Sequence, residues 1–173
     1  MYKQFPKKLL GYLGFGEEMV SLNVWPVFIF IVVKDLQGSG ALATIASLLA
    51  AILALIVGKI TDQYSKHMLI KVGAFFSSLV WVARFMATNF WNTFFVDSLA
   101  RTTKEMYFIP LSTNLYLKAE STHVVPYVVF FEQSLAIGKF FACIFGIVLF
   151  SLTGSFMVLF VMAALFSLLY MFI

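Results

Sequence analysis

The chain contains a single cysteine, Cys143, so no internal disulfide can form and no cysteine cluster is present to hold zinc. Its two histidines, His67 and His123, lie far apart, and no structural metal site is expected. Charge is scarce: Asp, Glu, Lys and Arg make up 12% of the 173 residues, against about 25% in soluble domains. Hydrophobic residues are 62% and the mean hydropathy is +0.97, which excludes an ordinary water-soluble domain and a disordered chain. No nucleotide-binding loop, nucleophile elbow or metal-ligand cluster is visible, so neither enzymatic chemistry nor a cofactor is expected. The formal charge is +4, yet the basic residues form no stripe and lie between apolar runs. Attraction to anionic lipid fits that pattern, and nucleic acid is not an expected partner.

What is present is apolar sequence in long runs. A membrane-spanning helix needs about 20 mostly apolar residues. Six runs qualify, at about 9–33, 38–60, 69–87, 91–117, 125–150 and 153–173. The first is not read as a cleavable signal peptide: it is too long, carries Glu17 and Glu18, and lacks a small-residue cleavage site. The runs are continuous rather than alternating and the connections are short, so an all-α polytopic bundle is expected rather than a barrel.

The basic residues at or beyond the run ends set the expected orientation. Lys3, Lys7, Lys8, Lys59, Lys66, Lys71 and Lys118 fall on one side and only Lys34 on the other. The positive-inside rule then places both termini in the cytoplasm of a cell membrane, bacterial or archaeal. Run two carries Ala46, Ala50, Ala54 and Gly58 at helical spacing, with Ala43, Ser47 and Ala51 beside them. Such a stripe lets another helix approach closely, within the chain or from a second six-helix unit. Run six is uncharged and rich in Phe, Leu and Met, and is expected on the lipid-facing periphery. Cys143 is expected to be a small packing residue, and Trp91 an interfacial anchor.

Residues 58–67 read G-K-I-T-D-Q-Y-S-K-H. This resembles the signature loop of the major facilitator superfamily, roughly G-x-x-x-D-x-x-G-R/K-R/K, between spans two and three. Gly58, Asp62 and Lys66 match; Ser65 stands for the second glycine and His67 for the last basic residue. The resemblance implies one six-helix half built of two inverted three-helix repeats, with a loop that latches one transporter conformation by bridging two halves. The degenerate loop, and E-Q-S-L-A-I-G-K from Glu132 to Lys139, look more like that family's second half. Either the chain is part of a longer one, or it is a short protein that pairs with another half.

Nine of the 20 charged residues fall inside the runs: Glu17, Glu18, Arg84, Asp97, Arg101, Lys104, Glu105, Glu132 and Lys139. An unpaired charge at mid-bilayer costs about 3 kcal/mol or more, so each is a functional candidate. Runs one, four and five hold eight of the nine, and are expected to line a central cavity. Runs one and four also hold the helix-weakening residues Gly11, Gly14, Gly16, Pro26 and Pro110, and interrupted spans at corresponding positions point to a substrate path. Asp97, Arg101 and Glu105 share one helical face and either neutralise one another or serve the path. Arg101 resembles the family's span-four arginine, which implies a part in proton coupling, although Glu105 stands where a glycine follows it. Glu132 and Lys139 are seven residues apart and need partners from elsewhere, with Arg101 or Lys104 expected for Glu132 and Glu105 or Asp97 for Lys139. Glu17 and Glu18 point about 100° apart, so at most one faces the cavity squarely. A carboxylate in an apolar setting can carry a proton, or it can join helices by hydrogen bonds.

The expected function is a secondary-transporter unit that moves a small solute by alternating access. The resemblance implies ion coupling, by protons, and export. The rivals are a non-transporting membrane scaffold and an inactive half-transporter fragment.

Overall fold

The structure, a computed structural model, describes residues 5–121 and 124–173, with side chains from residue 9 onward. Lys3, Thr122 and His123, and the side chains of Lys7 and Lys8, lie outside the described residues. Among the described residues the chain forms six helical rods and no strand. They are α1 (5–33), α2 (Leu36–Gln63), α3 (66–86), α4 (Phe90–Glu120), α5 (Val124–Thr153) and α6 (Phe156–Phe172). Four are long and apolar enough to cross a membrane by length and composition: Leu9–Val33 within α1, α2, Lys66–Met86 and α5. At 31 residues α4 is long enough, but it carries Asp97, Arg101, Lys104, Glu105, Lys118 and Glu120. The sixth rod is apolar but short.

Local chemistry sets the boundaries. Lys34 closes α1 in a left-handed conformation with φ of 57°. Asp35 then caps α2, its carboxylate accepting from the backbone N–H groups of Gln37 at 3.2 Å and Gly38 at 2.6 Å. Asn89 caps α4 in the same way, accepting from Asn92 N–H at 2.9 Å. At the last turn Gly154 takes a φ of +63°, which glycine adopts without penalty, and Ser155 caps α6.

The first rod is interrupted where glycine and proline were concentrated. It tightens over Gly14–Gly16 and widens over Val20–Val24, just ahead of Pro26. Proline lacks an N–H and its ring crowds the carbonyl one turn back, and a widened turn absorbs that mismatch. Pro110 lies inside α4, which continues through it.

The bundle is centred on α3 and α4, which pack along each other, with α2 against α4 and α6 against α3. A Cβ on Gly73 would lie 2.8 Å from the Tyr107 backbone nitrogen, so only glycine permits this approach of α3 to α4. Likewise a Cβ on Gly138 would lie 2.7 Å from the Leu13 carbonyl oxygen, where α5 crosses α1. Two apolar clusters result. One joins Val20, Trp25, Phe28, Trp81, Val96 and Phe160; the other joins Tyr12, Phe15, Ile70, Tyr107, Leu135 and Tyr170.

Three expectations about packing are corrected. The sixth rod is not peripheral: Leu159, Phe160, Met162, Ala163, Ala164, Ser167 and Tyr170 are buried, because its alanines and serine let it sit against α3 and α1. The outlying rod is α5, where only Ser134, Leu135, Gly138 and Ala142 are buried. Cys143, on α5, is exposed rather than packed. In the small-residue stripe, Ala46 and Ala50 are buried in the bundle, whereas among the described residues no other helix lies within 4 Å of a Cβ placed on Gly58.

Candidate functional site

A cavity of about 660 Å³ opens among α1, α2, α3 and α4. Most of its wall is apolar, from residues such as Leu22, Val27, Phe30, Leu36 and Val80. Its charged lining is Glu17 from α1, Arg84 from α3, and Asp97, Arg101 and Lys104 from α4. No α5 side chain contributes, so the cavity is walled by the first four rods rather than by one, four and five.

Glu17 is the hub. It is 3% exposed and its carboxylate accepts from the Trp81 indole N–H, the Tyr107 hydroxyl and the Ser167 hydroxyl, the last at 2.8 Å. These donors come from α3, α4 and α6, so one acid ties α1 to three other rods. Trp81 belongs to the first apolar cluster and Tyr107 to the second, and Glu17 joins both. All three donors are neutral, and among the described residues no cation lies within ion-pairing distance of Glu17.

Glu18 faces elsewhere. Its two oxygens pair with Lys104 of α4 at 3.0 Å and Lys139 of α5 at 3.0 Å. Lys139 therefore finds its partner on α1, not Glu105 or Asp97 on α4, because Gly138 brings α5 against α1 at that level.

Asp97 is 2% exposed and accepts from the Trp25 indole N–H at 2.7 Å and from Arg101 Nε at 2.9 Å. Arg101 reaches on to the Ser47 hydroxyl of α2 at 2.9 Å. The i, i+4 pairing read from the α4 ladder is thus present for Asp97 and Arg101. The ladder stops there: Glu105 does not line the cavity, and no ion pair joins it to Arg101. Glu132 is exposed and forms no ion pair with Arg101 or Lys104, since its turn of α5 faces away from α4.

Arg84 is 3% exposed, and its guanidinium lies 3.4 Å from the Trp81 ring centre and 4.2 Å from that of Trp25. Cation–π contact with both rings stabilises the guanidinium. The edge is different: no group among the described residues accepts from Nε or Nη1. Each buried donor left unmade costs about 1–3 kcal/mol, so this arginine is the most costly polar group in the cavity wall.

Residues 58–67 lie apart from the cavity. Asp62 and His67 are exposed, Lys66 is half-buried, and among the described residues none of the three is in an ion pair. Asp62 and His67 thus face outward, and there is open space beside Gly58 among the described residues.

No protein-family model, no curated protein and no solved structure matches the chain. The site is therefore argued from its own geometry. Arg84 was visible in the sequence as a charge in an apolar run, but only its tryptophan clamp marks it as part of the cavity. Trp25, Trp81, Tyr107 and Ser167 gave no comparable signal, because aromatic and hydroxyl residues are ordinary constituents of apolar helices. Together these groups can bind a small solute at one charged wall, hold an acid between neutral donors, and couple movements of α1, α3, α4 and α6 through Glu17.

Proposed function

We propose that this multi-pass helical membrane protein is one six-helix unit of a secondary transporter of the major facilitator type. Its six rods are read as six spans, α4 crossing because Asp97, Arg101 and Lys104 are turned to the cavity and α6 because it is apolar and packed. The observation that carries the reading is the cavity: buried Glu17, Arg84 and Asp97 line a space of about 660 Å³ between helices. Intramembrane charge is costly and is retained where it serves a solute or ion path. The widened turn of α1 at Val20–Val24 separates Glu17 from Trp25 and supports a rod that flexes beside the cavity.

Proton coupling is assigned to Glu17. Protonating Glu18 would strand two lysine ammonium groups, whereas protonating Glu17 strands no paired cation, and the Tyr107 hydroxyl can exchange donor and acceptor roles with the acid. A second six-helix unit, either a copy of this chain or the missing half, closes the path and meets the outward-facing latch at Gly58, Asp62, Lys66 and His67. The seven-to-one basic bias supports cytoplasmic termini. The scaffold reading draws on the Glu18–lysine and Asp97–Arg101 pairs, which neutralise themselves without a solute.

Reconstitution into liposomes with an imposed pH gradient decides between them. Crosslinked dimers of the chain are expected to dissipate the gradient, and Glu17→Gln to abolish this. A chain that stays monomeric at every protein-to-lipid ratio and moves nothing overturns the transporter reading.

A further inference from the structure

Arg84 Nε and Nη1 have no acceptor among the described residues, and four features of the surroundings define what would supply one. First, the guanidinium lies against the Trp25 and Trp81 rings, at 4.2 and 3.4 Å from their centres, which hold it in place without satisfying its N–H donors. Second, neither nearby acid is held in reserve: Asp97 is engaged by Trp25 and Arg101, and Glu17 by Trp81, Tyr107 and Ser167. Third, of the three cations in the cavity wall, Arg101 is paired with Asp97 and Lys104 with Glu18, whereas Arg84 has no ion-pair partner among the described residues. Fourth, the remaining wall is apolar, and the volume of about 660 Å³ lies within the range of about 300–1,000 Å³ that holds small organic ligands.

We propose that Arg84, packed against Trp25 and Trp81, binds the carboxylate of an organic acid whose apolar body fills the cavity. A guanidinium offers several N–H donors in a planar fork suited to carboxylate oxygens. A single unpaired guanidinium is matched by a monoanion, which favours a carboxylate over a doubly charged phosphate. The apolar lining of Leu22, Val27, Phe30 and Val80 receives the rest of the molecule. Such an acid reaches the site from the bilayer, as a fatty acid, or from water, as a soluble arylalkanoate. The proposal names the solute class for the path proposed above and rests on the same cavity. It concerns binding, which is measured without a gradient. Failure to transport therefore leaves it standing, and failure to bind leaves transport of a neutral or cationic solute open.

The chain has three tryptophans, and Trp91 is 66% exposed and away from the cavity. In a Trp91→Phe background the remaining fluorescence reports on Trp25 and Trp81 alone. The full chain in lipid nanodiscs is titrated with 4-phenylbutyrate, decanoate and the neutral 4-phenylbutanol. A saturable fluorescence change is expected with at least one carboxylate, at an affinity about 10- to 100-fold above that for the alcohol. A response to decanoate alone identifies a lipid-derived ligand, and a response to 4-phenylbutyrate a soluble one. Arg84→Gln is expected to remove the preference for the acid, and Arg84→Lys to restore it in part by returning charge without the planar edge. Should the Arg84 variants fail to fold, the comparison of acid and alcohol on the parent chain still decides. Binding of the alcohol as tight as that of the acids, or no saturable response to either acid, overturns the proposal.

Discussion

Glu17→Ala removes a single acceptor and leaves three buried donors facing it: the Trp81 indole N–H and the Tyr107 and Ser167 hydroxyls. Interhelical hydrogen bonds in membranes are worth about 0.6 kcal/mol on average and at most about 1.7. Hydrogen bonds to a charged group are worth about 1.5–3 kcal/mol in water-soluble proteins. Taking about 1 kcal/mol for each of the three donors gives a loss of about 3 kcal/mol. Glu17→Gln keeps one carbonyl oxygen, which can satisfy two donors, and sets its NH₂ against the third, so about half that loss is expected. Ser167→Ala removes one donor and costs about 1 kcal/mol. The assay is reversible unfolding in mixed micelles of dodecyl sulfate and a mild detergent, followed by helical circular dichroism. Because Ser167 acts through Glu17, Ser167→Ala should cost almost nothing once Glu17→Ala is present. A Glu17→Ala loss below about 0.5 kcal/mol, or full additivity of the two substitutions, would refute the hub.

Three further outcomes follow from the same geometry. Single cysteines at positions 36–39 should label from outside intact cells and those at 119–122 should not; the reverse pattern inverts the topology. Asp62→Asn should impair transport while leaving the yield of folded protein unchanged, because Asp62 is exposed and unpaired in this unit; loss of folded protein in proportion to activity would make the loop a structural turn. Gly138→Val should destabilise the fold by about 1–3 kcal/mol, since a Cβ there would lie 2.7 Å from the Leu13 carbonyl oxygen, and unchanged stability in mixed micelles would deny the close crossing of α1 and α5.

The rods were legible because apolar run length is a strong signal: the expected 38–60 and 125–150 became Leu36–Gln63 and Val124–Thr153, extended at the ends by polar residues that continue the helix. The i, i+4 pairing of Asp97 and Arg101 was legible because helix geometry fixes it. Partners across helices were not. Lys139 pairs with Glu18 because Gly138 lets α5 approach α1, and nothing in the α5 sequence says which rod it crosses. Hydrophobicity alone placed α6 on the lipid face. Its Ser167, one hydroxyl among apolar side chains, is what anchors it to the buried acid. Arg84 was counted as an intramembrane charge, but a sequence cannot show that two tryptophans, 59 and three residues away, both pack against it.

The central claim is that the charged cavity is a solute path open to each side of a membrane in turn. Ala43 of α2 and Ala100 of α4 line that cavity, whereas Leu55 is 73% exposed on the outside of α2. Cysteines are placed at these positions one at a time, with Cys143→Ser removing the only native thiol. A membrane-impermeant thiol reagent is then applied to sealed vesicles from one face or the other. Alternating access predicts that Ala43→Cys and Ala100→Cys react from either face and that Leu55→Cys reacts from neither. Reaction of the cavity positions from one face only, or from neither, would contradict the account.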